Sequence, residues 1–168
     1  MCHMWLEGPI PEELGRFPGY LMVRLGQRSS KRFAELLAPV GIHPRQFGVM
    51  NIVAARPGIT QNELRDSTGI DPSSMVGVID ELEERGLAER RPHPSDRRAR
   101  AIYLTDTGQE TLGQARKIAM ELQRDFFAAL SEEEQETLTQ LLRKVALSHA
   151  AAATTDEGAE QAPAATGG

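Results

Sequence analysis

Gly86-Leu-Ala-Glu-Arg-Arg-Pro-His-Pro-Ser-Asp-Arg-Arg-Ala-Arg-Ala-Ile-Tyr-Leu-Thr-Asp-Thr-Gly108 decides the fold. Two short extended arms, Leu87 to Arg91 and Ala99 to Leu104, flank a tip made of Pro92, Pro94, Ser95 and Asp96. These are turn formers, and the prolines keep the tip out of a sheet interior. From Arg85 to Arg100 six arginines (85, 90, 91, 97, 98 and 100) stand against Glu89 and Asp96, a local charge of +4 on a chain whose net charge is −5. A compact basic hairpin on an acidic protein is placed for a polyanion, and nucleic acid is the polyanion that fits best.

Working outward, the hairpin is preceded by a helix with both ends marked. Asp71 is its N-cap, Pro72 occupies the first turn, and Gly86 stops it. Met75, Val78, Ile79 and Leu82 share one face of this helix and should pack on Leu64 and Ile70. The opposite face carries Ser73, Gly77, Asp80 and Glu84, with Ser74 and Val76 at its flanks. A shorter helix lies upstream, opened by the capping box Thr60-Gln-Asn-Glu63 and closed by Gly69. Another starts at Pro44 and ends at Arg56-Pro57-Gly58, and a long one starts at Pro18 and ends at Pro39 and Gly41. Downstream, Thr105 caps a long helix that breaks near Leu130, and Ser131-Glu-Glu-Glu134 offers a second capping box for a last helix bearing Leu138, Leu141, Leu142 and Val145.

Short helix, tight turn, helix and hairpin make a winged helix-turn-helix. The expected fold is therefore mainly α, with a small β-hairpin wing and additional N- and C-terminal dimerisation helices. Residues 1–17 form a lead-in, 18–42 and 106–149 a helical dimerisation region, 43–105 the DNA-binding lobe, and 150–168 a disordered tail without large apolar residues. The terminal helices carry apolar stripes that need a partner, and a second copy of the chain is the economical one.

The reading helix has a polarity. Its N-terminal residues Ser73, Ser74, Val76 and Gly77 are small, and its C-terminal residues Asp80, Glu81, Glu83 and Glu84 are acidic. Entry into a major groove N-terminus first brings the positive dipole end to phosphate and leaves the acids outside. Hydroxyls and a valine methyl give modest base readout, so shape and wing contacts must share the specificity. Mid-helix glycine is unfavourable, which points to a close approach at Gly77; the alternative is a solvated helix that merely tolerates it.

The run Leu82-Glu-Glu-Arg-Gly-Leu87 through Arg90, the Asp96-Arg-Arg-Ala99 element and the Leu104-Thr-Asp-Thr-Gly108 element together resemble the MarR family of bacterial regulators, over roughly residues 18 to 148. The resemblance implies a homodimeric transcription factor, often a repressor, that binds palindromic double-stranded DNA. It implies that Arg98 enters a minor groove, and that Asp96 holds the wing by pairing with an arginine, Arg97 and Arg100 being nearest in sequence. Arg90 and Arg91 would meet phosphates, and Arg97 and Arg100 join Arg98 as DNA-binding candidates. Family members respond to small phenolic or amphipathic effectors where the dimer helices meet the lobe. By position Tyr20, Arg24, Gln27, His43, Gln46, Phe47 and Met50 are the ligand-binding candidates, although aromatic and Met side chains at helical spacing more often form core.

Other chemistries find little support. The single cysteine, Cys2, excludes an internal disulfide framework and has no basic neighbour to activate it. Trp5 invites comparison with urate-responsive relatives, but Gly48 stands where those carry an acid. Met1-Cys2-His3 has copper- or nickel-binding chemistry without a supporting cluster, and no metal or other cofactor is expected. No phosphate loop, nucleophile elbow or catalytic constellation is visible, so an enzyme is not expected. No apolar run spans a membrane and no secretory pattern is visible, so the expected location is the cytoplasm. The competing function is a winged-helix protein-interaction module whose hairpin meets an acidic partner.

Overall fold

The structure is a computed structural model that describes residues 8–93 and 99–159, the last eleven as backbone alone. The described residues fall into two compact units that divide between Gln123 and Arg124. The helices are α1 (Glu12–Gly15), α2 (Pro18–Leu37), α3 (Pro44–Ala55), α4 (Gln61–Thr68), α5 (Pro72–Glu84), α6 (Asp106–Phe126) and α7 (Glu132–Ala159). The strands are β1 (Ile59–Thr60), β2 (Ala88–Pro92) and β3 (Arg100–Leu104).

The caps expected from the sequence are in place. In α4 the Thr60 hydroxyl accepts from the Glu63 amide at 3.3 Å, and the Glu63 carboxylate accepts from the Thr60 amide at 2.8 Å. At the start of α5 the Asp71 carboxylate accepts from the Ser74 amide at 2.9 Å. The far end of α5 closes in a Schellman turn: the Leu87 amide donates to Leu82 and the Gly86 amide to Glu83, both at 2.8 Å. Gly86 takes a φ of 64°, the left-handed value this turn demands.

The wing is larger than the expected hairpin. β3 is the centre of a three-stranded antiparallel sheet, with β2 on one side and β1 on the other. Arg90 lies opposite Ile102 on the β2 side, and Ile59 lies opposite Ile102 on the β1 side. β1 escapes a sequence reading because two residues cannot show alternation. It joins α3 to α4, so the sheet is continuous with the helix-turn-helix.

The core of the first unit gathers helices and strands around α5. Met75, Val78, Ile79 and Leu82 are buried there with Leu64, Val49, Met50, Val53, Leu87, Ile102, Leu112 and Ala115. Fully burying a side chain of this size contributes roughly 1.5–3 kcal/mol, so the α5 stripe is a principal source of the lobe's stability. α2 is less well covered: Met22 and Val23 are 50% and 55% exposed, and Leu25 is exposed beside them.

Thr105 connects three elements. Its hydroxyl donates to the Gly86 carbonyl at 2.6 Å and accepts from the Gly108 amide at 3.0 Å. Its own amide donates to the Leu87 carbonyl at 3.1 Å. Gly108 is buried directly against Leu87, and a Cβ there would fall 2.9 Å from the Leu87 carbonyl carbon.

In the second unit, Ser131 and Glu134 form the expected capping box: the Ser131 amide donates to Glu134 at 2.8 Å and the Glu134 amide to the Ser131 hydroxyl at 3.3 Å. Leu141, Leu142, Val145 and Leu147 of α7 are exposed. α7 continues to Ala159. The run of alanines at 150–153 suits that continuation, because alanine is the strongest helix former. Residues 160–168 lie outside the described residues.

Gly108→Ala drives a methyl into backbone that cannot move aside. It should destabilise the fold by about 1–3 kcal/mol, read as a lowered midpoint in thermal or urea unfolding. An unchanged midpoint would show that α6 can move away from Leu87.

Candidate nucleic-acid interface

α5 exposes a short polar ridge at its N-terminal end. Ser73 and Val76 are exposed, and Ser74, Gly77 and Asp80 are half-buried. The Ser73 hydroxyl donates to Asp71 at 2.6 Å, which leaves its lone pairs as acceptors. Among the described residues no side chain comes within 4 Å of a Cβ placed on Gly77, so their packing does not account for a glycine there.

The dipole end of α5 is not bare. Asp71 sits on it, and hydrogen bonds from the Ser73 hydroxyl and the Ser74 amide hold its carboxyl far below the usual carboxylate range. The expected attraction of this terminus for phosphate is therefore offset by a fixed negative charge. Positive charge for a polyanion must come from side chains.

The acids at the other end of α5 are engaged by the lobe itself. Arg90 on β2 reaches back across the turn, with Nη2 2.6 Å from Asp80 and Nη1 paired with Glu83. Its amide also donates to Glu83 at 2.7 Å. Arg90 is thus a brace between β2 and α5. Neutralising two carboxylates on the reading helix is its electrostatic contribution. The acids at 80 and 83 are one helical turn apart, so a single arginine can bridge them. That spacing was the available signal.

Arg91 is exposed, pairs with Glu89, and lies 4.8 Å from the centre of the Tyr103 ring. Cation–π contact and the ion pair hold its guanidinium on the outer face of the wing. Arg100 is exposed at the start of β3, opposite Pro92. Asp96, Arg97 and Arg98 lie outside the described residues, as do Cys2 and Trp5.

The ligand candidates separate into two groups. Met50 is fully buried in the core, and Phe47 packs edge-to-face on Phe33 with ring centres 5.1 Å apart. Gln46 is buried and bonded at both ends: its Oε1 accepts from the His43 amide at 2.9 Å and its Nε2 donates to Glu81 at 2.8 Å. These three serve the fold. The other group lies on α2 and at the start of α3. Arg24 is buried and donates to the Tyr20 hydroxyl at 3.1 Å and to the Gly8 carbonyl. Gln27 and His43 are exposed.

A braced, N-capped helix beside a basic three-stranded wing defines a winged helix-turn-helix protein of the regulator class. The model of the MarR family matches residues 40–99. A protein of Thauera aromatica, named as a transcriptional regulatory protein for the hcr operon, is 32% identical over 142 residues, which cover 83% of this chain and 82% of the relative. Among solved structures, the transcriptional repressor CouR bound to a 23-mer DNA duplex has a TM-score of 0.75 at 33% identity, covering 83% of this chain and 99% of that one. CouR from Rhodococcus jostii RHA1 bound to p-coumaroyl-CoA has a TM-score of 0.72 at 28% identity, covering 81% and 96%. The chain belongs to the MarR family and is a transcriptional regulator of that family. Its relatives are named regulators of transcription and not enzymes. Among the described residues no helix is long and apolar enough to cross a membrane.

Two substitutions probe the ridge. Asp71→Ala should lower the thermal midpoint at neutral pH. Because the carboxyl's pKa is depressed on folding, its contribution is full above the ordinary value of 3.8 and is lost as the pH falls through the lower folded-state value. The gap between wild type and variant should therefore narrow on acidification, and a gap independent of pH would rule out the cap. Gly77→Ala should stabilise the free protein by up to about 1 kcal/mol while weakening DNA binding, if the glycine keeps space for a base or sugar. A variant more stable and equally tight on DNA would remove that role.

Proposed function

We propose that this regulator binds double-stranded DNA sequence-specifically as a homodimer and acts as a repressor released by a small amphipathic or phenolic ligand. The observation that carries this reading is the exposed Ser73–Gly77 ridge, held on a helix braced by Arg90 and set beside a basic wing. Residues 43–105 form the DNA-binding lobe. Residues 18–42 and 106–149 form the dimerisation region, which gives the exposed Met22, Val23, Leu141 and Leu142 a partner.

Two copies related by a two-fold axis place their reading helices in successive major grooves, about 34 Å apart. Ser73, Ser74 and Val76 touch base edges there, and Arg98 with Arg97 reaches the adjoining minor groove, where a guanidinium is favoured by the narrow negative channel. Arg91 and Arg100 meet phosphates. The DNA-bound CouR structure supports this mode, since its fold aligns with this chain over 83% of its length at a TM-score of 0.75.

The effector reading rests on Tyr20, Arg24, Gln27 and His43. A phenolic or acyl-aromatic compound meets hydrogen-bonding and cationic groups there, and p-coumaroyl-CoA, the molecule held by CouR, is of that class. Such a ligand lowers operator affinity only by binding better to the arrangement of the dimer that does not fit DNA.

The test is selection of duplexes from a random pool by the purified chain, followed by competition between the selected palindrome and a scrambled duplex at fixed salt. A clear preference is expected, and Arg98→Ala should weaken operator binding by about tenfold or more with the dimer and its thermal midpoint retained. Equal binding of palindrome and scramble would favour an electrostatic or protein-interaction role. Unchanged binding by the variant would remove Arg98 from the minor groove.

A further inference from the structure

α5 is seated at its acidic end by a contact that neither the resemblance nor the relatives explain. Gln46 is 1% exposed, a buried amide in the first turn of α3. Its carbonyl oxygen accepts from the His43 amide at 2.9 Å, and its amide nitrogen donates to Glu81 at 2.8 Å. Glu81 lies on α5, thirty-five residues away, and its side chain is 56% exposed. The same carboxylate oxygen stands 4.0 Å from His43 Nε2. Just past the end of α5, the Arg85 guanidinium lies against Gly41, the residue that ends the short 3-10 turn after α2. The C-terminal half of α5 is thus docked at two points on the corner between α2 and α3.

We propose that Gln46 is a positioning residue for DNA reading: through Glu81 it fixes the tilt of α5 against the Gly41–Gln46 corner. The proposal rests on the DNA-binding reading above and assigns Gln46 a role other than ligand contact. Ser73 and Glu81 are eight residues apart, about 12 Å along the helix. A tilt of about 5° at the clamp moves the Ser73 end by about 1 Å over that length. Such a shift is enough to lose a hydrogen bond to a base edge. A buried amide with both ends bonded is stiff because each lost bond leaves an unsatisfied group behind. The corner also terminates α2, so a change in α2 reaches the reading helix through this contact.

The test uses the intact chain and the ratio of its affinities for the selected palindrome and a scrambled duplex at fixed salt. Thermal midpoints are measured alongside. Glu81→Ala removes the acceptor and one negative charge, and its exposed position makes it compatible with folding. Gln46→Glu adds a negative charge and sets two carboxylates against each other. The double variant Gln46→Glu with Glu81→Gln exchanges donor and acceptor and keeps the wild-type net charge. Glu81→Ala and Gln46→Glu should both lower the palindrome preference by about tenfold, although they shift charge in opposite directions. The double variant should restore the preference to within about twofold. A preference unchanged in Glu81→Ala, a preference that simply follows charge, or a double variant that fails to recover would each overturn the proposal. Should Gln46→Glu not fold, Glu81→Ala alone decides. A wild-type chain with no preference for any duplex would sink the DNA-binding reading and this proposal with it, whereas a wild-type preference that Glu81→Ala retains would sink the proposal alone.

Discussion

The Thr105 hydroxyl holds the lobe together at the point where three elements meet. It bonds the end of the α5 turn at Gly86 and the first turn of α6 at Gly108, while the Thr105 amide bonds Leu87 at the root of the wing. The Schellman turn at Gly86 allows β2 to leave α5 at once, and the absence of a side chain at Gly108 allows α6 to lie against that departure. The direction of the wing and the direction of the long helix therefore follow from one joint. The Thr and Gly of the Leu104–Gly108 element are explained by this joint and need no direct role in binding.

Charge on the lobe is organised in the same local way. The protein is acidic overall, and α5 carries four acids in its second half. Arg90 covers Asp80 and Glu83, Gln46 holds Glu81, and Arg91 is kept outward by Glu89 and Tyr103. The basic hairpin thus has two kinds of arginine, one that silences carboxylates beneath it and one that remains at the surface. Counting arginines gives the sign of the field, but their partners decide where the field acts.

Much of this was legible in the sequence, and the rest was hidden for identifiable reasons. Thr60, Asp71, Thr105 and Ser131 mark helix starts through local hydrogen bonds, and Met75, Val78, Ile79 and Leu82 mark the buried face through spacing alone. Such signals need only neighbours in the chain. β1 was invisible because its two residues become a strand only through pairing with β3. The contacts of Arg90 and Gln46 with α5 do not show in the sequence, because their partners are set by tertiary geometry. Met50 lies in the core and Phe47 packs against it, the ordinary place for large side chains at helical spacing. The Asp71 charge was visible in sequence, yet its cost to an anion at the same helix end shows only when the cap bond is seen in place.

Pairing of β1 with β3 carries a mechanical consequence. Thr60 belongs both to the sheet and to the cap of α4, so the hairpin and the helix-turn-helix share a residue with no slack between them. Bending the wing at its base would strain the start of α4, and rotating α4 would drag the sheet. The lobe consequently behaves as a single stiff jaw, and accommodation of an imperfect surface has to come from swinging the jaw as a whole.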